Sequence, residues 1–331
     1  MRIALDAMGT DRHPAVEVEG AVQALREEAE DLRVALVGDA EAIRRELQRL
    51  GESESDRLSI VHASERVAPG DPPATAVRRK PDSSIVVGLN LQKEGEADAF
   101  VSAGSTGAVM AASLFILRPL PGVDRPAIAT ILPTARGPVI LVDAGANVDC
   151  RPSHLVQFAQ LGSVYAHDVL GRPEPRVGLL NIGEEPEKGN ELAVETHRLL
   201  SATDLNFVGN VEGNDIIDCA CDVLVADGFV GNVLLKFYES VAGFVLGLLG
   251  RDHGNGAGEG RAAAVDRVTR ILDYAEYGGA PLLGVNGISM ICHGSSSPRA
   301  ITNALRAAVT ASNAHMVGHI REEVGELPEA G

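Results

Sequence analysis

The chain has 331 residues, 45% of them apolar, which is enough to bury a large core. Its formal net charge of -17 argues against a duplex-binding role, since phosphate backbones are held by clustered Lys and Arg. Aromatic residues make up 3% of the chain and Trp is absent, so a stacking surface for single strands or sugars is also disfavoured.

In chain order, "RIALDAM" reads as a strand leading to a helix over about 14–30, and "LRVALVG" as a strand leading to one over about 39–50. "LSIVHA" is a strand followed by a loop, and "ADAFVSA" feeds a helix over about 105–117. "AIATIL" and "PVILVDAG", separated by "PTARG", suit a hairpin. "RVGLLNIG", "LNFVGN" and "CDVLVADG" each precede a helix, the last of these a long one over about 229–249. The glycine-rich "GRDHGNGAGEGRAAAV" at 250–265 then links to a shorter helix at about 262–274. "PLLGVNG" and "ISMICHG" lead to a final helix at about 298–320, and the tail 322–331 is expected to fray. This alternation implies a single α/β domain over 1–331, with a mostly parallel sheet between helical layers, one antiparallel excursion and a protruding helical pair at about 229–280.

Cys150, Cys219, Cys221 and Cys292 show no C-x-x-C spacing and sit in or beside apolar runs, so reduced core thiols and a cytosolic compartment are expected. The opening segment lacks the charged, apolar and small-residue order of a signal peptide. The apolar run "VAGFVLGLLG" at 241–250 is shorter than the roughly 20 residues that span a bilayer. A soluble protein that can touch a membrane is the expectation.

Seven strand exits share one character: "LDAMGTD", "VSAGSTG", "VDAGAN", "NIGEEPEKGN", "GNVEGND", "ADGFVGN" and "CHGSSS". Glycine, aspartate and asparagine are turn formers, which explains any one of these exits but explains all seven poorly. In an open α/β sheet the carboxyl ends of parallel strands are where ligands bind. Among the exits, "SAGSTGAVMAA" is the best anion cradle: Gly104 permits close approach, while Ser105, Thr106 and Gly107 stand where free N–H groups meet the positive end of a helix. Its plain alternative is an ordinary N-cap. "NIGEEPEKGNE" is unusual for its lysine, because Lys80, Lys93, Lys188 and Lys236 are the only lysines among 29 basic residues.

Several chemistries lack their signatures. G-x-G-x-x-G after the first strand, G-x-x-x-x-G-K-[ST] and G-x-S-x-G are all missing, and His154, His197 and His293 have no zinc spacing. No cofactor or metal is therefore expected. His293, in "CHGSSSP", stands at a strand exit, where a catalytic role and a capping role are both open.

"LDAMGTD", "SAGSTGAVMA", "GVDRPAIAT", "LVDAGAN", "LLNIGEEPEKGNE", "FVGNVEGNDI", "CDVLVADGFVGNVLLK", "LDYAEYGGAPLLGVNG" and "CHGSSSPRAITNAL" together resemble, in order and over nearly the whole length, bacterial phosphate acyltransferase of phospholipid synthesis. The resemblance implies a three-layer α/β/α fold of the isocitrate/isopropylmalate-dehydrogenase kind and a homodimer. It also implies transfer of a fatty acyl group from acyl carrier protein to inorganic phosphate, with the product passed to a glycerol-3-phosphate acyltransferase at the membrane.

That reaction needs a fixed cation and oriented donors beside an anionic transition state. Under the resemblance, Lys188 is the expected cation, with Glu184 and Glu185 orienting its ammonium, and Asn232 is an amide donor beside the free N–H groups of its helix. Asp6, Asp143, Asn147, Asn181, Asn210, Asp227 and His293 furnish the remaining substrate site. Direct attack by phosphate is expected rather than a covalent route through Cys150 or Cys292. An acidic carrier would dock on basic residues, for which Arg78, Arg79 and Lys80, with Arg261, Arg267 and Arg270, are candidates. For the first three, the plain alternative is favourable charge at a helix C-terminus.

The tip 250–265 departs from the family's apolar and basic pattern, which weakens any membrane contact made through it. Acyl-coenzyme A as donor, a dehydrogenase of the same fold and a non-catalytic membrane scaffold are the competing readings.

Overall fold

The computed structural model describes residues 1–27, 31–68, 70–134, 136–251 and 278–325. Among them the strands are β1 (Arg2–Asp6), β2 (Arg33–Gly38), β3 (Leu58–His62), β4 (Ala99–Ser102), β5 (Ala127–Thr134), β6 (Gly137–Val142), β7 (Val177–Leu180), β8 (Phe207–Val211), β9 (Val223–Val225), β10 (Ala280–Leu283) and β11 (Ile288–Ile291). The helices are α1 (Ala15–Glu27), α2 (Ala40–Arg49), α3 (Pro73–Arg79), α4 (Ser84–Lys93), α5 (Thr106–Ile116), α6 (Pro152–Asp168), α7 (Glu191–Leu200), α8 (Gly228–Arg251), α9 (Pro298–Asn313) and α10 (Met316–Gly325). The chain has the mostly parallel α/β/α fold that its alternating pattern predicts.

The chain forms two compact units, one of Met1–Pro126 with Tyr277–Gly331 and the other of Ala127–Glu276. The alternating pattern runs on through both junctions, because each unit is built from the same strand-and-helix repeat.

In the first unit β1 pairs in parallel with β2 and β4, β2 with β3, and β4 with β11, while β10 returns antiparallel to β11. The exits of β1, β4 and β11 therefore lie along one edge. The strands are nearly continuous apolar runs such as Ile3, Ala4 and Leu5, or Val34 to Val37, all buried, as a sheet covered on both faces requires. Helix α2 shows the local logic: Asp39 accepts the N–H groups of Glu41 and Ala42 as N-cap, and Ile43 and Leu47 bury one face. Helices α1 and α9 meet at Gly20, where an added Cβ would lie 2.7 Å from Ile301 Cβ, and Thr302 Oγ1 donates to the Gly20 carbonyl at 2.9 Å.

Among the described residues of this unit two carboxyls are buried, those of Asp6 and Glu17. Glu17 is 0% exposed, its Oε1 accepts the Thr10 N–H at 2.6 Å, and its Oε2 has no hydrogen-bond partner among the described residues. Desolvation pushes its pKa from 4.5 to about 7; the Thr10 N–H opposes that push and the Asp6 charge adds to it. An acid whose folded pKa is raised contributes stability below its unfolded pKa and loses it as pH rises through the folded one. Glu17→Gln should therefore be more stable than the parent at pH 8 by about 3 kcal/mol, with a flatter stability profile between about pH 5 and pH 8. Urea unfolding at both pH values measures this, and an unchanged profile would refute it.

In the second unit β5 and β6 form the expected hairpin, paired from Ala129↔Val142 to Thr134↔Gly137. Strands β6, β9, β7 and β8 then follow in parallel, so their four exits share an edge.

Several elements differ from expectation. Helix α3 ends at Arg79, in line with the plain reading of its basic residues, while α4 occupies sequence read as loop and α6 was not anticipated. Helix α6 buries Leu155, Val156, Gln157, Phe158, Ala159, Gln160 and Leu161 in succession, so it has no one-sided apolar period to detect. After β8 the chain makes turns rather than a helix. The final helix is two, because His315 takes φ 56, a left-handed conformation that ends helical propagation. Residues 322–325, expected to fray, are helical in α10. Of the predicted helical pair, α8 is seen, while the second helix and Arg261, Arg267 and Arg270 lie outside the described residues.

Helix α8 also corrects the reading of its apolar run. Gly228–Leu248 has the length and mean hydropathy, 1.4, of a membrane-crossing helix, with only 11% of that window buried. Phe229, Val233, Phe237, Val241, Phe244 and Leu248 are exposed, and Lys236 pairs with Glu239 at 2.8 Å.

Candidate functional site

In the first unit Asp6 ends β1 fully buried, and its two oxygens accept the Met8 N–H at 2.9 Å and the Ser102 hydroxyl at 2.6 Å. Ser102 Oγ in turn accepts the Gly104 N–H at 3.0 Å. Asp6 thus ties the β1 exit to the β4 exit and holds the turn Gly104, Ser105, Thr106, Gly107 in place. Ser105 is the N-cap residue of α5, yet its side chain makes no cap bond, and the first-turn N–H groups have no side-chain acceptor among the described residues. The turn that the sequence offers as a cradle thus stands at a helix N-terminus whose N-cap residue makes no side-chain cap bond among the described residues.

His293 follows β11 on an exposed loop. Its Nδ1 accepts the Ser295 N–H at 3.2 Å and lies 2.7 Å from the Ser295 hydroxyl, so the ring stabilises its own turn.

Of the basic trio, Arg78 and Arg79 are exposed at the end of α3, and the Arg78 guanidinium lies 4.9 Å from the centre of the Phe115 ring. Lys80 is engaged differently: its Nζ donates to Asp71 at 2.6 Å and to the Arg66 carbonyl at 2.9 Å, which reduces it as a free docking charge.

The second unit holds the other expected residues. Asp143 follows β6 at 0% exposure, where Oδ1 accepts the N–H groups of Ile128, Gly145 and Ala146, and Oδ2 accepts the N–H and the side-chain amide of Asn147. Burial pushes its pKa up and these donors pull against it. Asp143 and Asn147 therefore form a clamp: the Asn147 carbonyl takes the Gly228 N–H at 2.7 Å, and a Cβ added at Gly231 would lie 1.9 Å from the Asp143 carbonyl. Only glycine lets the first turn of α8 press so closely on this loop.

That turn corrects one expectation. Asp227 is the N-cap of α8, its Oδ1 accepting the N–H groups of Phe229 and Val230, while its carbonyl takes the Gly231 N–H. The leading N–H groups of α8 are thus occupied and cannot join Asn232 in an oxyanion site. Asn232 stands one turn into the helix, exposed, and its side-chain amide makes no hydrogen bond among the described residues. It lies over Gly145, whose added Cβ would be 3.4 Å from Asn232 Cγ.

The acidic loop after β7 is built by two asparagines. Asn181 Nδ2 donates to the Lys188 carbonyl at 3.0 Å and its Oδ1 accepts the Ile182 N–H at 2.8 Å, while Asn210 on β8 donates to the Glu185 carbonyl at 2.8 Å. Gly189, with φ 97, completes the turn, and Asn190 caps α7 by accepting the Ala193 N–H at 2.9 Å. Lys188, Glu184 and Glu185 are all exposed. Contrary to expectation, neither glutamate pairs with the Lys188 ammonium. Glu185 Oε2 and Lys188 Cγ instead flank Gly183, each 3.0 Å from where its Cβ would be. The loop is held by amides, and the exposed lysine makes no ion pair among the described residues.

Beside this loop lies a cleft of ≈ 510 Å³ reached by Asn181, Asn190, Asp227 and Val230 and walled by Leu155, Leu179 and Leu192. Asn190 and the apolar wall were missed in the sequence. The "GN" before a helical period signals a cap, but the wall is assembled from separate helices and strands. No group of three or more His, Cys, Asp or Glu is placed to hold a metal among the described residues. The apolar wall and the polar exits together suit a ligand with an apolar body and a polar head.

The family model "Fatty acid synthesis protein" matches residues 1–318. The chain is 54% identical over 328 residues to "Phosphate acyltransferase" of Desulforamulus reducens, covering 98% of this chain and 97% of that one. It is 51% identical over 329 residues to "Phosphate acyltransferase" of Heliobacterium modesticaldum, covering 98% of each. Among solved structures, it superposes on a phosphotransacetylase from Streptococcus pyogenes with TM-score 0.64 at 18% identity, covering 95% of this chain and 94% of the other. A branched-chain phosphotransacylase from Enterococcus faecalis gives TM-score 0.60 at 15% identity, covering 94% and 99%. At that identity these two establish the fold alone.

Proposed function

We propose, from the premise that this chain belongs to the fatty acid synthesis protein family, that it is an acyltransferase moving a fatty acyl group from acyl carrier protein to inorganic phosphate. The observation that carries this reading is identity of about half the residues, over nearly the full length, to proteins named phosphate acyltransferase. The exposed Lys188 at a polar strand exit fits the chemistry.

In the proposed reaction a phosphate oxygen attacks the thioester carbonyl carbon. A C–O bond forms, the tetrahedral oxyanion collapses, the C–S bond breaks, and the thiolate leaves with the electron pair and takes a proton from solvent. Lys188 neutralises phosphate and the developing oxyanion, and the free Asn232 amide donates to the oxyanion. The Asp143–Asn147 clamp and the Asp227 cap hold Asn232 in position. In the first unit the uncapped turn at Ser105–Gly107 suits an anion, with Asp6 shaping it.

Direct attack is preferred over an acyl-cysteine route through Cys292. Desolvation pushes the Cys292 thiol up to about 12, so the thiolate nucleophile is scarce at neutral pH.

The apolar stripe of α8 suits a second copy of the chain, and a homodimer is proposed on that ground. Arg78 and Arg79 are the proposed carrier contacts. Passage of the product to a membrane glycerol-3-phosphate acyltransferase follows from the family reading, with the enzyme cytoplasmic and peripheral at the membrane's inner face.

The deciding measurement incubates the full chain with acyl carrier protein thioester and inorganic phosphate, and traps acyl phosphate with hydroxylamine. Phosphate-dependent hydroxamate and free carrier protein are expected. Faster turnover of the coenzyme A thioester at equal concentration would replace the carrier as donor, and no acyl phosphate from either donor would overturn the reading.

A further inference from the structure

The exit loop of β1, residues 6–11, is tied down on several sides. Asp6 joins it to β4 through the Ser102 hydroxyl, Arg66 Nε donates to the Met8 carbonyl at 2.7 Å, and the Asp11 N–H donates to the Gly294 carbonyl at 2.8 Å. Between these ties Gly9 abuts the β4 exit: an added Cβ would lie 2.7 Å from the Ala103 carbonyl carbon and 2.7 Å from the Gly104 nitrogen. With backbone pressed on backbone, a displacement of this loop is passed directly to the turn that leads into α5.

Glu17 on α1 is the remaining tie. Its Oε1 accepts the N–H of Thr10, the neighbour of Gly9, while its buried Oε2 has no hydrogen-bond partner among the described residues. Two titratable groups act on it or feel its charge: Asp6 of β1, which repels a carboxylate here, and the buried Cys292 thiol just past β11, held neutral with its pKa pushed up to about 12. On the loop itself, the His13 ring is engaged through Nδ1 with the Thr10 carbonyl at 2.8 Å. Helix α9 meets α1 at Gly20 through Ile301 and Thr302, which do not titrate. A neutral carboxyl is satisfied by this setting, whereas a carboxylate is short of donors and faces Asp6.

We infer that Glu17 is a positioning residue, which acts through Thr10 and Gly9 to hold the β1 exit against the β4 exit, and that its ionisation weakens the hold of inorganic phosphate there. This regulates the anion-binding turn of the acyl-transfer reading above and rests on that reading. Desolvation places the switch near neutral pH, since it pushes the carboxyl to about 7. A bound anion favours the neutral carboxyl, so phosphate raises that pKa further, and affinity falls as pH rises through the value of the free protein.

The test is calorimetric titration of the full chain with inorganic phosphate at pH 6 and pH 8, in the parent and in Glu17→Gln. Glutamine keeps an oxygen for the Thr10 N–H and stays neutral at both pH values. The parent-to-variant ratio of Kd should be about 1 at pH 6 and about 5 at pH 8. Phosphate's own titration cancels, because the two proteins are compared at one pH. The KM for phosphate should follow the same ratio while kcat changes little. Glu17→Leu, which removes the acceptor, should weaken phosphate about tenfold at both pH values; if it fails to fold, the Glu17→Gln ratio decides alone. A ratio that is flat from pH 6 to pH 8 overturns the inference and leaves Glu17 a structural group seen only in unfolding. Absence of phosphate binding in the parent overturns it as well. A pH-dependent ratio in a chain that makes no acyl phosphate refutes the reaction and supports the role of Glu17, whereas acyl phosphate formed with a flat ratio does the reverse.

Discussion

Lys188→Ala should retain its fold and lose about 100-fold or more in phosphate-dependent release of free carrier protein, the scale seen when one stabilising group is removed from an anionic transition state. The side chain is exposed and makes no ion pair among the described residues, so deleting it leaves no buried partner unsatisfied and the melting curve should not move. Lys188→Arg should recover little, since a planar fork does not deliver charge to the point an ammonium reaches. Asn232→Ala should follow the same pattern, with kcat falling more than KM rises, because its amide meets the oxyanion and not the ground-state carbonyl. Steady-state kinetics with carrier thioester, alongside thermal unfolding, checks both. Full activity in Lys188→Ala and Asn232→Ala would remove these roles.

Asp143→Ala should do the opposite, harming the fold before the chemistry. Four backbone N–H groups and one side-chain amide converge on this carboxylate. Truncating it strands those donors in a site that has no exposure. With each buried unpaired donor costing about 1–3 kcal/mol, a net loss of about 3 kcal/mol or more is expected even after local relaxation. The loss should appear first in amides of 143–147 and the start of α8, since the Asn147 carbonyl and the close approach at Gly231 couple that loop to the helix. Hydrogen exchange resolves this. Protection unchanged at Gly228 and Gly231 would show that the clamp does not hold the helix.

Much of this molecule is legible along the chain. The period-two and continuous apolar runs place the strands to within a few residues, and the glycine and asparagine punctuation marks their exits. The long collinear motifs identify the family, and full-length relatives at about half identity agree with them. Helix α6 escaped because it is buried on nearly all sides and so carries no amphipathic stripe. The break at His315 escaped because a single left-handed residue leaves no compositional trace.

The roles within the site divide along the same line. Lysine scarcity and a polar exit singled out Lys188 from the sequence, and those properties belong to the residues themselves. What surrounds each residue belongs to tertiary contacts. The structure alone decided that Glu184 and Glu185 make no ion pair with Lys188, that Asp227 occupies the leading N–H groups of α8, and that Asp143 is a clamp. The same holds for the apolar wall of the cleft, whose residues lie as far apart in the chain as Leu155 and Val230. A residue's type sets which hydrogen bonds and charges it can offer; only packing sets which of them are already taken when the substrate arrives.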